Sequence, residues 1–469
     1  MPGTPVPCEV VVAGGGPAGA TAARLLAMWG RRVVLAVKPA GPADADLPES
    51  LTPSCQKFFD LLGISPAVEA AGFVRSTGHT VWWGDTSRVE PFDGGRTGWQ
   101  ATTARLGVLM VELAAAAGVQ VVHRALSRDE LFAWPAAFRV DATGRAGLLG
   151  RTPGGRRFEP GHRTVALVGL WERAGDWPLD DPTHTLLESY GDGWAWSVPL
   201  SPTVRALAVM VDPRTTALAR GTGATAVYLQ EVAKTQQLAR IFREASRRGG
   251  PAGWDASMYV AERFTGPDWL LAGDAGSFVD PLSSAGVRKA MASGWQAAVA
   301  INTALTRPNL TDTALGCFAA RERQTYDRFL ALTRRFLAMG ATAASHPFWT
   351  DRAADLEADD RDAVRAAFER LKAAPEVRLR PADEVRIEPR PAWREREIVL
   401  EPQVVTPLVP EGVRHVEGID MVALLGLAPR FRQVPDLYDA YTREAGPADL
   451  GVFLTALSTA VARRWLLTG

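Results

Sequence analysis

Three clusters of residues in this chain have types and spacings suited to chemistry. Gly14-Gly15-Gly16-Pro17-Ala18-Gly19 carries glycines in the G-x-G-x-x-G spacing. Gly14 permits a tight turn, Gly16 lets a pyrophosphate approach the backbone, and Gly19 allows close packing of helix on strand. Leu270-Leu271-Ala272-Gly273-Asp274 is an apolar strand pattern that delivers a carboxylate to a loop. Between them, Gly193 to Pro199 holds Trp194, Trp196 and Val198 at every second position, so a strand there puts both indoles on one face. Such a face either packs a sheet against a neighbouring domain or walls an aromatic site. Glu49 and Ser50, in the turn Pro48-Glu49-Ser50-Leu51-Thr52-Pro53, and His79, in a strand-like segment, are the proton-handling candidates. An incidental turn acid and a structural histidine are the alternatives for Glu49 and His79.

The elements that must position these groups are legible nearby. Glu9 to Ala13 is a short apolar run ending at glycine, the pattern of a buried parallel strand. A helical pattern follows from Pro17 to Trp29, Gly30 ends it, and Arg32 to Val37 makes a second strand. This strand–turn–helix–strand context gives the glycine motif its meaning as a nucleotide site. The acidic residue that normally ends the second strand and binds the adenosine ribose is missing. Val37 and Lys38 stand there, and Lys38 is assigned to the phosphate-bearing side. Alternating segments Thr164 to Trp171, Thr185 to Ser189, Trp194 to Val198 and Arg205 to Val211 predict an antiparallel sheet inserted between the nucleotide elements.

Composition limits the function classes. With 469 residues, 47% hydrophobic and 22% charged, the chain has the make-up of a multi-domain globular protein. Lys plus Arg equals Asp plus Glu at 52 each, which argues against nucleic acid as a partner. Cys8, Cys55 and Cys317 match no metal-ligand spacing and no disulfide framework, so no metal site is expected and a reducing compartment is. No signal-peptide pattern and no apolar run of about 20 residues occurs, so the expectation is a cytoplasmic protein with no membrane partner.

The order of the glycine loop, then Trp194-Ala195-Trp196-Ser197-Val198-Pro199, then Gly273-Asp274 and Asp280-Pro281 resembles the flavin-dependent halogenases and their monooxygenase relatives. Asp141-Ala142-Thr143-Gly144, after the strand-like Phe138-Arg139-Val140, resembles the segment of flavoprotein hydroxylases that passes the dinucleotide. The resemblance implies FAD as cofactor, held by Gly14, Gly16, Pro17, Ala18 and Gly19. It implies that Asp274 bonds the ribityl chain. The loop from Asp280-Pro281 to Gly286 and Val287 would open a helix aimed at the isoalloxazine. Relatives carry an arginine near Thr103, for which Arg105 is the nearby substitute. Glu49 and Ser50 resemble the family's flavin-facing loop, and the two-tryptophan segment would wall substrate off from flavin.

One departure bears on the reaction. The segment Gly72 to Gly78 resembles the halogenase stretch that carries an essential lysine, and Ser76 stands in its register. A serine hydroxyl offers neither an amine nor a cationic donor. Hydroxylation of an aromatic substrate through a flavin C4a-hydroperoxide is therefore expected, using O2 and either NAD(P)H or a partner flavin reductase. Halogenation or hydroxylation of a small aromatic metabolite is the alternative.

The resulting fold expectation is α/β plus antiparallel β. A discontinuous Rossmann-like FAD domain (1–75, 100–160, 255–345) carries an inserted sheet domain for substrate (76–99, 161–254). Residues 346–410 read as a helix and a Pro-rich linker, and 411–469 as a small helical module with Pro447 at a first helical position. The tail and the missing lysine resemble the branch that oxygenates a tryptophan inside a partner polypeptide during tryptophylquinone biogenesis, so a polypeptide substrate is expected. A dimerisation element and a lid remain the other readings of the tail.

Overall fold

The computed structural model describes residues 6–39, 41, 46–342, 344–353, 360–374 and 376–468. A five-stranded parallel sheet runs in the order Trp269–Leu271, Phe138–Asp141, Val10–Ala13, Val33–Ala36, Gln120–Val122. Val10–Ala13 is central and fully buried, which is why its sequence is a continuous apolar run without alternation. The helix Pro17–Met28 leaves directly from the glycine loop and packs on the long helix Gly286–Thr306.

That packing requires missing side chains. Gly14 has φ +109°, and a Cβ there would lie 2.2 Å from the Ala142 carbonyl oxygen. A Cβ on Gly19 would lie 2.0 Å from the Gly14 carbonyl oxygen, and one on Gly294 would lie 2.2 Å from that of Ala18.

A seven-stranded sheet follows the order Ser246–Asp255, Val165–Glu172, Val204–Val211, Gly193–Pro199, Thr185–Tyr190, Gly78–Trp83, Thr86–Pro91. It is antiparallel except where Thr185–Tyr190 pairs with Gly78–Trp83. Strand alternation sorts its residues as the sequence requires. Trp194, Trp196 and Val198 pack with Val168, Ala208, Met210 and Trp349, while Ala195, Leu207 and Val209 face Val227 and Tyr228. A small sheet, Pro48–Leu51, Gly98–Thr102, Val74–Ser76, carries Ser76 and also Glu49 and Ser50, which the sequence reading placed in a turn and which pair as strand residues with Ala101 and Gln100. This is the Rossmann-like FAD scaffold with an inserted sheet that the sequence led us to expect.

A second compact unit covers residues 356–469. Here the structure corrects the sequence reading. The Pro-rich stretch assigned to a linker forms strands Arg386–Arg394, Glu397–Thr406 and Val409–Val413. Pro389 stands directly opposite Pro402. Neither has an N–H to donate, so the pair occupies a position that forms no ladder hydrogen bonds. Pairing with the third strand starts only at Val404, so Pro402 forfeits no bond on its other side. Pro447 also does not open the last helix. Leu450–Ala462 is capped by Asp449, which accepts the Val452 N–H. The helix expected ahead of the Pro-rich stretch, within 346–410, is observed as Asp360–Ala373, and residues 354–359 before it lie outside the described residues. Leu437, Tyr441, Phe453 and Leu457 are buried in a core with Tyr438 and Leu454 packed against it.

Among the described residues no helix is long and apolar enough to cross a membrane, and no His, Cys, Asp and Glu group is arranged to hold a metal ion. The backbone contact at Gly294 yields a test. Gly294→Ala is expected to destabilise the protein by about 1–3 kcal/mol through overpacking, read as a lowered denaturation midpoint. The same change at Gly316, which has open space around it, is expected to leave the midpoint unchanged or raised.

Candidate active site

A cavity of about 250 Å³ opens where the glycine loop, the start of the long helix and the seven-stranded sheet meet. From the nucleotide side come Pro17, Asp274, Asp280, Pro281, Ser284, Gly286, Val287 and Ala290. The sheet contributes Ala166, Val168, Thr185, Trp196, Met210 and Trp254, and the small sheet contributes Glu49 and Ser50. Pro17, Glu49, Ser50, Trp196, Asp274, Pro281, Gly286 and Val287 therefore share one space, although they lie up to 270 positions apart in the chain.

Other sequence candidates sit elsewhere. Trp194 is 1% exposed and packs beneath the cavity against Trp83, their ring centroids 6.0 Å apart. It is a core residue, and the expectation that both tryptophans wall the site is corrected to Trp196 alone. His79 does not line the cavity; its ring meets Phe92 edge-on at 5.1 Å, and burial lowers its pKa. Arg105 is exposed, donates to the Ala71 carbonyl and stacks on Phe73. Its guanidinium is thus committed away from the cavity. Lys38 is exposed just past the strand Val33–Ala36.

The structure also adds residues. Arg145 reaches the cavity, ion-paired with Asp255 at 2.9 Å and lying 4.1 Å over the Phe278 ring. Its neighbour Asp141 is fully buried and holds the following loop, accepting the Thr143 and Leu149 N–H groups. Asp141 belongs to the segment singled out in the sequence, whereas Arg145 was not, because an arginine four residues past a strand end has no single assignment. Thr185, Met210 and Trp254 were likewise invisible as site residues, since tertiary packing alone brings them to the cavity.

The residues present fit FAD. The helix Pro17–Met28 starts at Gly16 without any side-chain cap, and the space beside Gly16 is open where a Cβ would point. The helix Gly286–Thr306 also begins uncapped, with Gly286 and Val287 on the cavity. Free N–H groups at helix starts attract anionic groups, as on a pyrophosphate or a reduced flavin ring. Asp274 is positioned by Lys289, whose Nζ lies 3.4 Å away and whose side chain is 1% exposed. The N–H of Gly273 is held by Ser293 Oγ at 2.7 Å.

The cavity also gathers carboxyls. Burial, and then the charge of Asp274, pushes Glu49 up to about 8. Burial pushes Asp280 up to about 6. Glu49 has surface facing the cavity but is enclosed by protein, which explains why its carboxyl titrates as a desolvated group. At neutral pH it is mostly a carboxylic acid, able to donate a proton.

Two tests follow from this geometry. Asp274→Ala is expected to weaken FAD retention by about 1.5–3 kcal/mol through loss of a charge-assisted bond, measured by equilibrium titration of the apoprotein. The second concerns pH. A carboxyl raised in the folded state keeps its proton after the unfolded chain has released its own, so its contribution to stability is present below about 4.5 and is lost as pH rises to about 8. Glu49→Gln removes this loss. The melting temperature of the variant apoprotein relative to wild type should therefore increase steadily between about pH 5 and about pH 8.

Comparison with known proteins agrees with the geometry. The tryptophan halogenase family profile matches residues 9–116 and 133–378. A tryptophan 2-halogenase of Chondromyces crocatus is 29% identical over 325 residues, which cover 64% of this chain and 62% of that protein. CmlS, a flavin-dependent halogenase of known structure, superposes with a TM-score of 0.79 at 19% identity, covering 99% of this chain and 96% of CmlS. QhpG, a peptidyl tryptophan dihydroxylase essential for tryptophylquinone cofactor biogenesis, superposes at 0.67 with 24% identity, covering 98% of each chain. The fold, the uncapped helix starts facing one cavity and the match over most of the chain together place this protein in the tryptophan halogenase family of FAD-dependent oxidoreductases.

Proposed function

We propose that this protein is an FAD-dependent monooxygenase that hydroxylates an aromatic substrate, a tryptophan side chain held in a partner polypeptide, as in tryptophylquinone biogenesis. The observation that carries the choice of hydroxylation is the absence of lysine from the described cavity lining. Ser76, in the register where halogenases carry their lysine, is a buried residue of the strand Val74–Ser76. Lys289 is the first candidate to replace that lysine, and its ammonium is occupied by Asp274 and the Ser277 carbonyl. Lys57 is exposed over Phe58, and Lys234 is ion-paired with Asp192 and Glu231.

FAD, reduced by NAD(P)H or a partner reductase, supplies activated oxygen. The chain's own residues do the rest. Trp196, Trp254, Met210 and Val168 form an apolar wall that stacks an aromatic ring and excludes water. The Glu49 carboxyl, protonated at neutral pH, suits donating a proton during oxygen transfer, and the carboxylate so formed can take up the proton that an oxygenated ring carbon must lose. An indole is electron-rich enough to react without prior deprotonation, which agrees with the lack of a histidine at the cavity. Support for a polypeptide substrate comes from the likeness to QhpG and from the second unit, whose separate core the oxygen chemistry does not require.

The test uses reduced FAD, O2 and excess chloride or bromide with a tryptophan-containing peptide. Mass spectrometry is expected to find added oxygen only; a halogenated product would overturn the reading. Removal of residues 356–469 should spare FAD binding and abolish capture of a polypeptide substrate. Cutting instead at 411 would split the strand Val409–Val413 and is not a clean deletion. Efficient turnover of free tryptophan or a small phenol by the intact protein would move the assignment to a small-metabolite hydroxylase.

A further inference from the structure

The sheet wall of the cavity is apolar at Ala166, Val168, Trp196, Met210 and Trp254, and it carries one hydroxyl, that of Thr185. Thr185 is 2% exposed, and its Oγ1 accepts the Nε2–H of Gln100 at 2.9 Å. Among the described residues its own proton has no acceptor. A hydroxyl whose oxygen has taken a donor still has a hydrogen to give, and the space that Thr185 borders is the cavity.

Gln100 reaches Thr185 from a different sheet. It is 1% exposed and sits on the strand Gly98–Thr102, paired with Ser50 on one side and Val74 on the other. Its Oε1 is buried without a partner, as is the Oγ of Ser76. Ser76 pairs with Gly98 and is thus a diagonal neighbour of Gln100 on the same sheet face. Gln100 does not itself line the cavity, but its cross-strand partner Ser50 and its hydrogen-bond partner Thr185 do, and desolvated polar groups are costly unless their bonding is completed. The wall's other polar groups include the Trp196 indole N–H, a donor without a partner, and Asp255, which is ion-paired with Arg145; a few polar groups placed in a mostly apolar wall are the arrangement that fixes a ligand's orientation.

We propose that the Thr185 hydroxyl, oriented by Gln100, donates to a carbonyl oxygen carried by the aromatic substrate, so that Thr185 selects substrate and Gln100 is a positioning residue. This deepens the proposed function and rests on it for the identity of the ring. In a partner polypeptide, a peptide carbonyl beside the tryptophan supplies the acceptor. A flavin carbonyl offers the same chemistry, but Thr185 belongs to the sheet wall with Val168 and Met210, whereas Pro17, Asp274 and Gly286 belong to the elements that fit FAD.

The experiment measures binding to the FAD-loaded protein by flavin absorbance, using two pairs of probes matched in shape. One pair is indole-3-acetamide and 3-isobutylindole, and the other is 4-hydroxyacetophenone and 4-isopropylphenol. Wild type should prefer the carbonyl member by about two- to tenfold, the range of one hydrogen bond. Thr185→Val should erase that preference, Thr185→Ser should keep it, and Gln100→Leu should reduce it, with FAD retention unchanged in all three. A preference that survives in Thr185→Val, or that is missing from both pairs in wild type, would overturn the proposal. Loss of FAD from Thr185→Val with an intact preference would assign the hydroxyl to flavin and overturn it as well. A preference in the phenol pair without binding of either indole would sustain the role of Thr185 and refute the tryptophan reading instead.

Discussion

The whole active site depends on how closely three stretches of backbone approach one another around the glycine loop. Gly14 touches the Ala142 carbonyl, Gly19 touches Gly14, and Gly294 touches Ala18, in each case at a distance where a Cβ would overlap the facing carbonyl. Because these contacts are backbone on backbone, no side-chain adjustment can relieve a substitution. They set the helix Pro17–Met28 against the parallel sheet on one side and the helix Gly286–Thr306 on the other. The uncapped starts of both helices are thereby delivered to one region, one beside Gly16 and one on the cavity.

Electrostatics around the cavity follow from that placement. Glu49, Asp274 and Asp280 line one cavity, and three carboxyls so close cannot all remain ionised there at little cost. Lys289 stands beside Asp274, while Glu49 and Asp280 are driven upward by burial. The same packing therefore gives one carboxylate a charge partner and leaves a second near neutrality in its pKa. This division suits one group to holding cofactor and the other to moving a proton. The apolar face of the seven-stranded sheet supplies the low-polarity wall in which a single hydroxyl, at Thr185, carries directional information.

Much of this was legible in the chain because it is local. Val10–Ala13 is apolar throughout, the glycines follow at once, and the helix begins at Pro17, so strand, turn and helix are encoded within twenty residues. Trp194, Trp196 and Val198 share a face because strand geometry alternates, whatever the partner strand. The second unit shows where local reading fails. Its prolines resemble a linker when counted, yet Pro389 and Pro402 are harmless in a sheet because the register aligns them where no ladder bond is made.

What the sequence by itself determined is therefore the nucleotide fold, the inserted sheet and the absence of lysine at the Ser76 register, since each is written in short-range pattern or residue type. Only the tertiary structure decided which of the candidates meet. It buried Trp194 in the core and left Trp196 on the cavity, spent Arg105 on Ala71, kept His79 against Phe92, and brought Arg145, Thr185 and Trp254 to the site. The physical reason is that periodicity fixes the face on which a side chain lies, while the packing of one sheet against another fixes what that face meets.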